Sequence, residues 1–299
     1  MQRKKPGNDA HPEVLSPEVS QTGDINVKYY APSPDLYDIV KYYWIVDVRD
    51  ATGDKKMARI SPSGYPELIF HFGDSVCINT GKGKLEDKQS ESIIAGQITQ
   101  PVVVDMNPHL SCFCVKLHAW SLSAIFGMKS MNFVNQAVCL DDIIPNTRKI
   151  IYEQLSLAAD DATRICTIEN HLRALKNKYE NCIHPITAKV ISAIRQADKN
   201  QIKQLANDFH LSSRTMQRRL NDDIGISAKM FSRITRFNKA YQLIKNHQHL
   251  NLQDICFHLG YYDLPHLINE FREFSGDSPM QYFKHENVYN SLFVSQIKL

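Results

Sequence analysis

The strongest constraint on the fold is a short pattern that occurs twice near the C-terminus. The first copy spans residues 202–231 and the second spans residues 252–282. Each copy has an apolar stripe at helical spacing, a break of about five residues and a second apolar stripe that starts at a capping residue. A helix, a short turn and a second amphipathic helix make up a helix-turn-helix unit. The sequence therefore predicts two such units in tandem, joined by one helix.

The two predicted units differ in charge. Residues 202–245 hold nine Lys/Arg against three Asp, a net charge of +6, whereas residues 246–283 hold one Arg against five Asp/Glu, a net charge of −4. Cations that neutralise phosphates supply most of the non-specific affinity of proteins for DNA. If the units bind DNA, the first unit must supply most of that affinity.

The second helix of the first unit has one inward face and one polar face. Met216 and Leu220 are four residues apart and face inward, so Arg214, Gln217 and Arg218 share the opposite face. Arg can pair with guanine and Gln with adenine in the major groove, where a recognition helix presents three or four such side chains. We therefore expect these three side chains to contact bases; a solvated helix face without a partner is the alternative.

The second unit offers less for base reading. Its outward positions hold Pro265, Ile268 and Asn269, of which Asn269 can pair with adenine. We expect this unit to add modest affinity and weak sequence preference. The side chains that we expect at the DNA backbone are Ser212, Arg219, Arg233, Arg236, Lys239 and His266. A half-buried structural role is the alternative for His266.

At these residues the sequence resembles the AraC/XylS family of bacterial transcription regulators. The likeness covers residues 184–284 and includes LSSRTMQRRL at 211–220 and LGYYDLPHLINEFREFSGDSPMQYF at 259–283. The resemblance implies an all-helical domain of two helix-turn-helix units and sequence-specific promoter binding, most often as an activator. The chain departs from the family pattern at Pro265 and Asn269, which bears on base reading by the second unit. The alternative is a protein-interaction module whose acidic second unit docks RNA polymerase or another partner.

The N-terminal half is predicted to be rich in β-structure. Short β-prone runs at 68–72, 92–95, 102–106 and 112–117 are separated by turn signals, which suggests a small barrel or sandwich. Residues 27–46 predict a strand, a Pro-containing turn and a short aromatic-rich helix.

The same half also has a weaker family likeness. The segments at 61–74 (SPSGYPELIFHFGD) and 116–127 (KLHAWSLSAIFG) resemble a poorly characterised β-rich, cupin-like sensor domain that precedes some AraC-type domains. The expected fold class is therefore α+β, a β-rich cupin-like domain followed by an all-α domain of two helix-turn-helix units joined by a linker helix. The expected division is a disordered tail at 1–26, a β-rich sensor-like domain at 27–144, connecting and candidate dimerisation helices at 145–183, the tandem helix-turn-helix domain at 184–284 and a C-terminal tail at 285–299.

Catalytic and metal sites are not indicated. Glu67 and His71 share one strand face, but no HxH cluster accompanies them, so we expect no metal. Neither a nucleophile–base constellation nor a phosphate-binding loop occurs, so we expect no cofactor and no enzyme activity. Trp44, Tyr65 and Trp120 are weak candidates for an apolar effector pocket, and core packing is the favoured alternative for all three.

Composition limits the compartment and the partners. The seven cysteines are scattered without a CxxC pair, which fits reduced thiols, and no apolar run approaches the ~18–20 residues of a membrane span. We therefore expect a bacterial cytoplasmic, nucleoid-associated protein with no membrane contact. Its expected partner is double-stranded DNA, and a small-molecule effector, RNA polymerase and a second copy of the chain are further candidates.

Overall fold

The computed structural model describes residues 14–15, 25–49, 56–73, 77–79, 91–106, 109–179, 186–196, 204–246 and 251–284. The expected C-terminal tail at 285–299, the expected boundary between residues 183 and 184, Ile202 and most of the expected N-terminal tail lie outside these residues.

Strands within the described residues form two antiparallel sheets. The strands are β1 (Val14–Leu15), β2 (Ile25–Tyr30), β3 (Val40–Arg49), β4 (Lys56–Ile60), β5 (Glu67–His71), β6 (Cys77–Asn79), β7 (Ser92–Ala95), β8 (Val102–Met106), β9 (His109–Leu117) and β10 (Ala137–Cys139). Seven of them lie in the order β1-β2-β3-β9-β5-β7-β10, and three lie in the order β4-β8-β6. The structure has β7 and β8 at the residues that the sequence predicted.

The strand Val40–Arg49 occupies the segment where the sequence predicted an aromatic-rich helix, so that prediction was wrong. Tyr43 and Ile45 belong to a core shared with helices, whereas Trp44 and Val46 belong to the core between the two sheets. A strand that is buried on both faces reads as a continuous apolar run and loses the alternation that identifies strands. This double burial is the physical reason for the misreading.

Two described segments within the expected N-terminal tail lie in strands. Val14–Leu15 pairs with Tyr29 and Tyr30, and β2 already begins at Ile25. The expectation of disorder throughout residues 1–26 is therefore wrong at these positions.

Three helices pack on the face of the seven-stranded sheet that the small sheet leaves uncovered. They are α1 (Ser121–Phe126), α2 (Pro145–Leu157) and α3 (Asp161–Lys178). Leu155 of α2 and Leu172 of α3 lie in one buried cluster with sheet residues. The apolar faces of α2 and α3 are thus packed within the N-terminal region, and the assignment of residues 145–183 as connecting helices stays a prediction. Dimerisation through their outer faces stays a prediction.

The C-terminal region is helical. Its helices are α4 (Thr187–Gln196), α5 (Leu205–Asp208), α6 (Ser213–Asp223), α7 (Ala228–Asn246), α8 (Leu252–His258), α9 (Leu264–Ser275) and α10 (Pro279–Lys284). Helices α5 and α6 form the first helix-turn-helix unit, α8 and α9 form the second, and α7 joins the two units. The predicted α+β class, β-rich and then helical, is confirmed. Among the described residues, no helix combines the length and the hydropathy needed to cross a membrane.

Candidate nucleic-acid interface

The recognition helix of the first unit, α6, begins at a side-chain cap. Ser212 Oγ accepts a hydrogen bond from the Thr215 backbone N–H at 3.1 Å and donates to Thr215 Oγ1 at 2.8 Å. A Ser cap satisfies one of the free N–H groups at a helix start. Met216 and Leu220 are buried as the sequence predicted. The cap and the inward pair together fix which face of α6 turns outward.

The outward face of α6 carries arginine side chains. Arg214 and Arg218 are exposed, and Arg219 is half-buried. Among the described residues, none of these three forms an ion pair. Gln217 is half-buried, and its amide donates to Asn221 Oδ1 at 2.7 Å, one turn further along. The structure therefore brings Arg214, Gln217 and Arg218 onto one accessible face.

The cations of the linking helix α7 are engaged within the protein. Arg236 makes two hydrogen bonds to Glu270 Oε1, at 2.9 Å and 2.8 Å, and one to Glu270 Oε2, at 2.7 Å. Arg233 Nε donates to Glu270 Oε2 at 2.9 Å, and its Nη2 donates to Glu273 at 2.5 Å. Lys239 donates to the Arg195 carbonyl oxygen at 2.7 Å. These three candidates for backbone contact are thus placed in the contacts of α7 with α9 and α4.

The carboxylate of Glu270 is the centre of this network, and its side chain is only 2% exposed. Burial alone would raise the pKa of Glu270, but the hydrogen bonds from Arg236 and Arg233 outweigh burial and hold that pKa below its usual value. Glu270 occupies the position in the second unit that corresponds to Arg219 in the first. It is a buried anion that fixes the second unit to the linking helix.

The recognition helix of the second unit, α9, is also capped. Asp263 Oδ1 accepts from the His266 N–H at 2.8 Å. The His266 ring accepts from the Tyr262 N–H at 3.3 Å and lies 4.0 Å from Glu270, so this ring takes part in local structure. Asn269 is exposed, as a base-reading side chain must be. The aromatic side chains of Tyr262 and Phe257 are each 89% exposed beside this helix.

The far end of α6 contacts the N-terminal region. Ser130 Oγ donates to the Asp223 carbonyl oxygen at 2.7 Å, and Lys129 pairs with Asp222 at 3.0 Å. Gly225 follows at φ +83°, and a Cβ atom there would lie 2.9 Å from the Ser130 carbonyl oxygen. The contact therefore lies at the opposite end of α6 from Arg214.

The three effector candidates do not form one cluster. Trp44 is buried in the core between the sheets, and its indole donates to Glu67 Oε2 at 3.1 Å. Trp120 stacks on His118 with ring centroids 4.9 Å apart and packs against the core of the helical region. Tyr65 lies at the contact between the two regions, where Lys41 donates to its hydroxyl at 2.8 Å. Among the described residues, no group of three or more side chains is arranged to hold a metal ion.

Sequence reasoning did not predict the contacts that Lys41, Glu67, Arg195 and Glu270 make with residues far away in the sequence. Glu67 pairs with Lys116, and Arg195 contacts Tyr65 across 130 residues of sequence. Periodicity reports only neighbours along one element, so no local signal could have linked these residues.

Two parts of the chain match known protein families. Residues 205–285 match a family described as a helix-turn-helix domain, and residues 28–139 match a domain of unknown function, DUF6597. Fold and match together show a helix-turn-helix domain at the C-terminus, preceded by a β-rich domain at the N-terminus.

Several solved structures are similar to the chain. ToxT from Vibrio cholerae O395 is 8% identical with a TM-score of 0.44, over 82% of this chain and 98% of that chain. ToxT from strain SCE256 with unsaturated fatty acid bound is 11% identical with a TM-score of 0.45, over 87% and 95%. The C-terminal domain of AraT from Geobacillus stearothermophilus is 21% identical with a TM-score of 0.33, over 36% and 89%. Likenesses at these scores carry no functional conclusion. No curated protein matches the chain.

Proposed function

We propose that this protein is a transcription activator of the bacterial cytoplasm that reads promoter DNA with its first helix-turn-helix unit. The observation that carries the proposal is the outward face of α6, where Arg214 and Arg218 are exposed and have no ion-pair partner among the described residues. A helix in the major groove reads base edges with side chains of this kind. Arg214, Gln217 and Arg218 contact bases in this proposal, and Ser212 and Arg219 contact phosphates.

The second unit has a smaller part in this proposal. Arg233 and Arg236 already form ion pairs with Glu270, so these arginines hold α7 against α9 and do not neutralise phosphates. Asn269 remains as a side chain that can pair with adenine. The N-terminal region controls binding through a small-molecule effector.

Selection of bound sequences from a random DNA pool tests the proposal. Wild type, Arg218→Ala and Lys149→Ala are compared; Lys149 is a control because its side chain is 75% exposed on α2, in the N-terminal region. We expect wild type and Lys149→Ala to enrich one motif, and Arg218→Ala to lose the information at one or two of its positions. An unchanged motif for Arg218→Ala would contradict base reading by α6.

One observation favours a second candidate function for the second unit. Tyr262 and Phe257 expose large aromatic surface in a unit with net negative charge, and exposed aromatic side chains mark protein-interaction sites. In this alternative, the second unit docks RNA polymerase and leaves DNA contact to the first.

Site-specific cross-linking separates the two functions. A photo-reactive residue at position 262 is compared with one at position 218 in complexes that contain both promoter DNA and RNA polymerase. Cross-links from position 262 to polymerase and never to DNA would establish docking. Cross-links from both positions to DNA would exclude it in favour of two DNA-reading units.

A further inference from the structure

A fourth side chain, that of Asn221, shares the outward face of α6 with the three that we expect to read bases. The four residues fit an arc of about 100°, because an α-helix turns by about 100° per residue. The buried side chains of α6 all lie outside this arc. Asn221 therefore lies between the amide of Gln217 and the two arginines. The order around the arc is Gln217, Asn221, Arg214 and Arg218.

The side chains of Asn221 and Gln217 are joined by a hydrogen bond. Gln217 Nε2 donates to Asn221 Oδ1 at 2.7 Å, and both side chains are half-buried. The Asn221 carbonyl oxygen accepts from the Gly225 N–H at 3.1 Å. The next residue, Asp222, pairs with Lys129 of the N-terminal region at 3.0 Å. Gln217 is thus held by a partner whose backbone is itself fixed.

This bond leaves Gln217 able to pair with adenine. An amide side chain has two N–H donors and one oxygen acceptor. Gln217 gives one N–H to Asn221, and among the described residues its second N–H and its Oε1 form no other hydrogen bond. Adenine requires one donor for N7 and one acceptor for the N6 amino group. The contact with Asn221 and the contact with adenine can therefore exist at the same time.

Asn221 also removes freedom that Gln217 would otherwise lose on binding. A glutamine side chain that becomes ordered loses rotamer entropy, and its amide can turn over and exchange donor and acceptor. Because Asn221 Oδ1 accepts from the nitrogen of the Gln217 amide, it favours one of these two orientations. A group that is ordered before it binds gives tighter binding than a free one.

The second unit lacks this arrangement. Arg272 occupies the position there that corresponds to Asn221. Its guanidinium donates to Asn269 Oδ1 at 3.5 Å. The neighbouring side chain therefore accepts from the candidate reading amide in the first unit. In the second unit it donates to that amide and engages the oxygen that adenine needs.

We infer that Asn221 is a positioning residue for base reading, which holds the Gln217 amide in the orientation that pairs with adenine. The bound DNA has an adenine at the base pair that Gln217 contacts, and Asn221 sets how strongly that adenine is preferred. Asn221 acts through Gln217, so its loss changes one position of the motif and leaves those of Arg214 and Arg218 intact. The inference deepens the proposed function and rests on it, because Gln217 reads a base only when α6 lies in the major groove.

Selection of bound sequences by the full-length protein tests the inference. Gln217→Ala should erase the preference for adenine at one position, and Asn221→Ala should weaken the preference at that same position alone. Asn246→Ala is the matched control, because Asn246 of α7 donates to Gln242 Oε1 at 3.2 Å in a second Gln–Asn pair four residues apart. We expect the control to select the wild-type motif.

Anisotropy titrations then measure how far each protein prefers the selected sequence over one in which that adenine is replaced. Asn221→Ala should lower the preference roughly two- to tenfold, the value of one net hydrogen bond. Gln217→Ala and the double variant should show the same preference, since Asn221 acts only through Gln217. Asn221→Asp keeps an acceptor for Gln217, so it should retain the adenine preference while its negative charge lowers the overall affinity for DNA.

Two results would overturn the positioning role and leave the proposed function standing. One is a wild-type preference for adenine in Asn221→Ala, and the other is an equal loss at every position of the motif. Absence of any motif for wild type would overturn the proposed function and the positioning role together. Circular dichroism monitors folding, and Asn221→Ser, whose hydroxyl is too short to reach Gln217, takes the place of Asn221→Ala if that variant does not fold.

Discussion

The two helix-turn-helix units share one plan and use their charges in opposite ways. Both recognition helices start at a capped residue, Ser212 or Asp263, and both end before a left-handed glycine, Gly225 or Gly276. The first unit leaves its arginines at the surface, whereas the second brings Glu270 inward to bind the arginines of α7. The two units thus share one fold while they place their charged side chains differently, at the surface in the first and in a buried network in the second.

Removing the buried anion should give the largest effect. Glu270→Gln leaves Arg233 and Arg236 half-buried without their shared carboxylate, and we expect a loss of about 3 kcal/mol in the free energy of unfolding at pH 7. Glu273→Gln is the matched control, because Glu273 also pairs with Arg233 but its side chain is 49% exposed. We expect that control to lose less than about 1 kcal/mol. Urea unfolding measures both, and equal losses would contradict the central role of Glu270.

The stabilisation that Glu270 provides depends on pH. The folded-state pKa of Glu270 is lowered, so its stabilisation is present above the carboxyl's unfolded pKa and is lost as the pH falls through the folded value. The stability difference between wild type and Glu270→Gln should therefore shrink as the solution is made strongly acidic.

The glycines that end the two recognition helices give the next largest effect. Alanine at either position should cost about 1–2 kcal/mol because its φ is positive. Gly225→Ala should cost more than Gly276→Ala, because its Cβ atom would meet the Ser130 backbone, whereas the other would meet the flexible side chain of Arg59. Thermal unfolding of both variants measures the difference. A larger loss for Gly276→Ala would show that the contact between α6 and the N-terminal region is weaker than described.

Adding a cation to the second unit should produce a smaller gain. Asn269→Arg places an exposed positive charge on α9, and we expect tighter DNA binding and a salt slope that is steeper by about one. Fluorescence anisotropy over a range of salt concentrations measures both quantities. Asn269→Gln is the neutral control, and weaker binding by Asn269→Arg would show that this face does not approach DNA.

Local sequence patterns predicted much of the helical region, but they did not predict ion pairs between residues far apart in the sequence. The caps at Ser212 and Asp263 follow from residues three positions apart, and the inward pair Met216 and Leu220 follows from helical spacing. The ion pairs of Glu270 join residues 34 and 37 positions apart, a separation that periodicity does not report.

The β-rich region shows the same limit. Ser92–Ala95 and Val102–Met106 were predicted from β-propensity and turn signals. Val40–Arg49 was not, because sheet and helices together bury both of its faces. Lys41 and Arg195 both contact Tyr65 only because the two regions pack together, so no sequence motif predicted these contacts.

The central claim is that the first unit reads DNA and the second contributes little. The most direct test compares Arg218→Ala with Asn269→Ala in anisotropy titrations against the sequence that wild type selects, at one salt concentration. Loss of a bidentate base contact costs about 1–3 kcal/mol, so Arg218→Ala should bind roughly ten- to a hundredfold more weakly. Asn269→Ala should change the affinity by less than about threefold, which is under 1 kcal/mol. A large loss for Asn269→Ala beside a small loss for Arg218→Ala would contradict the account.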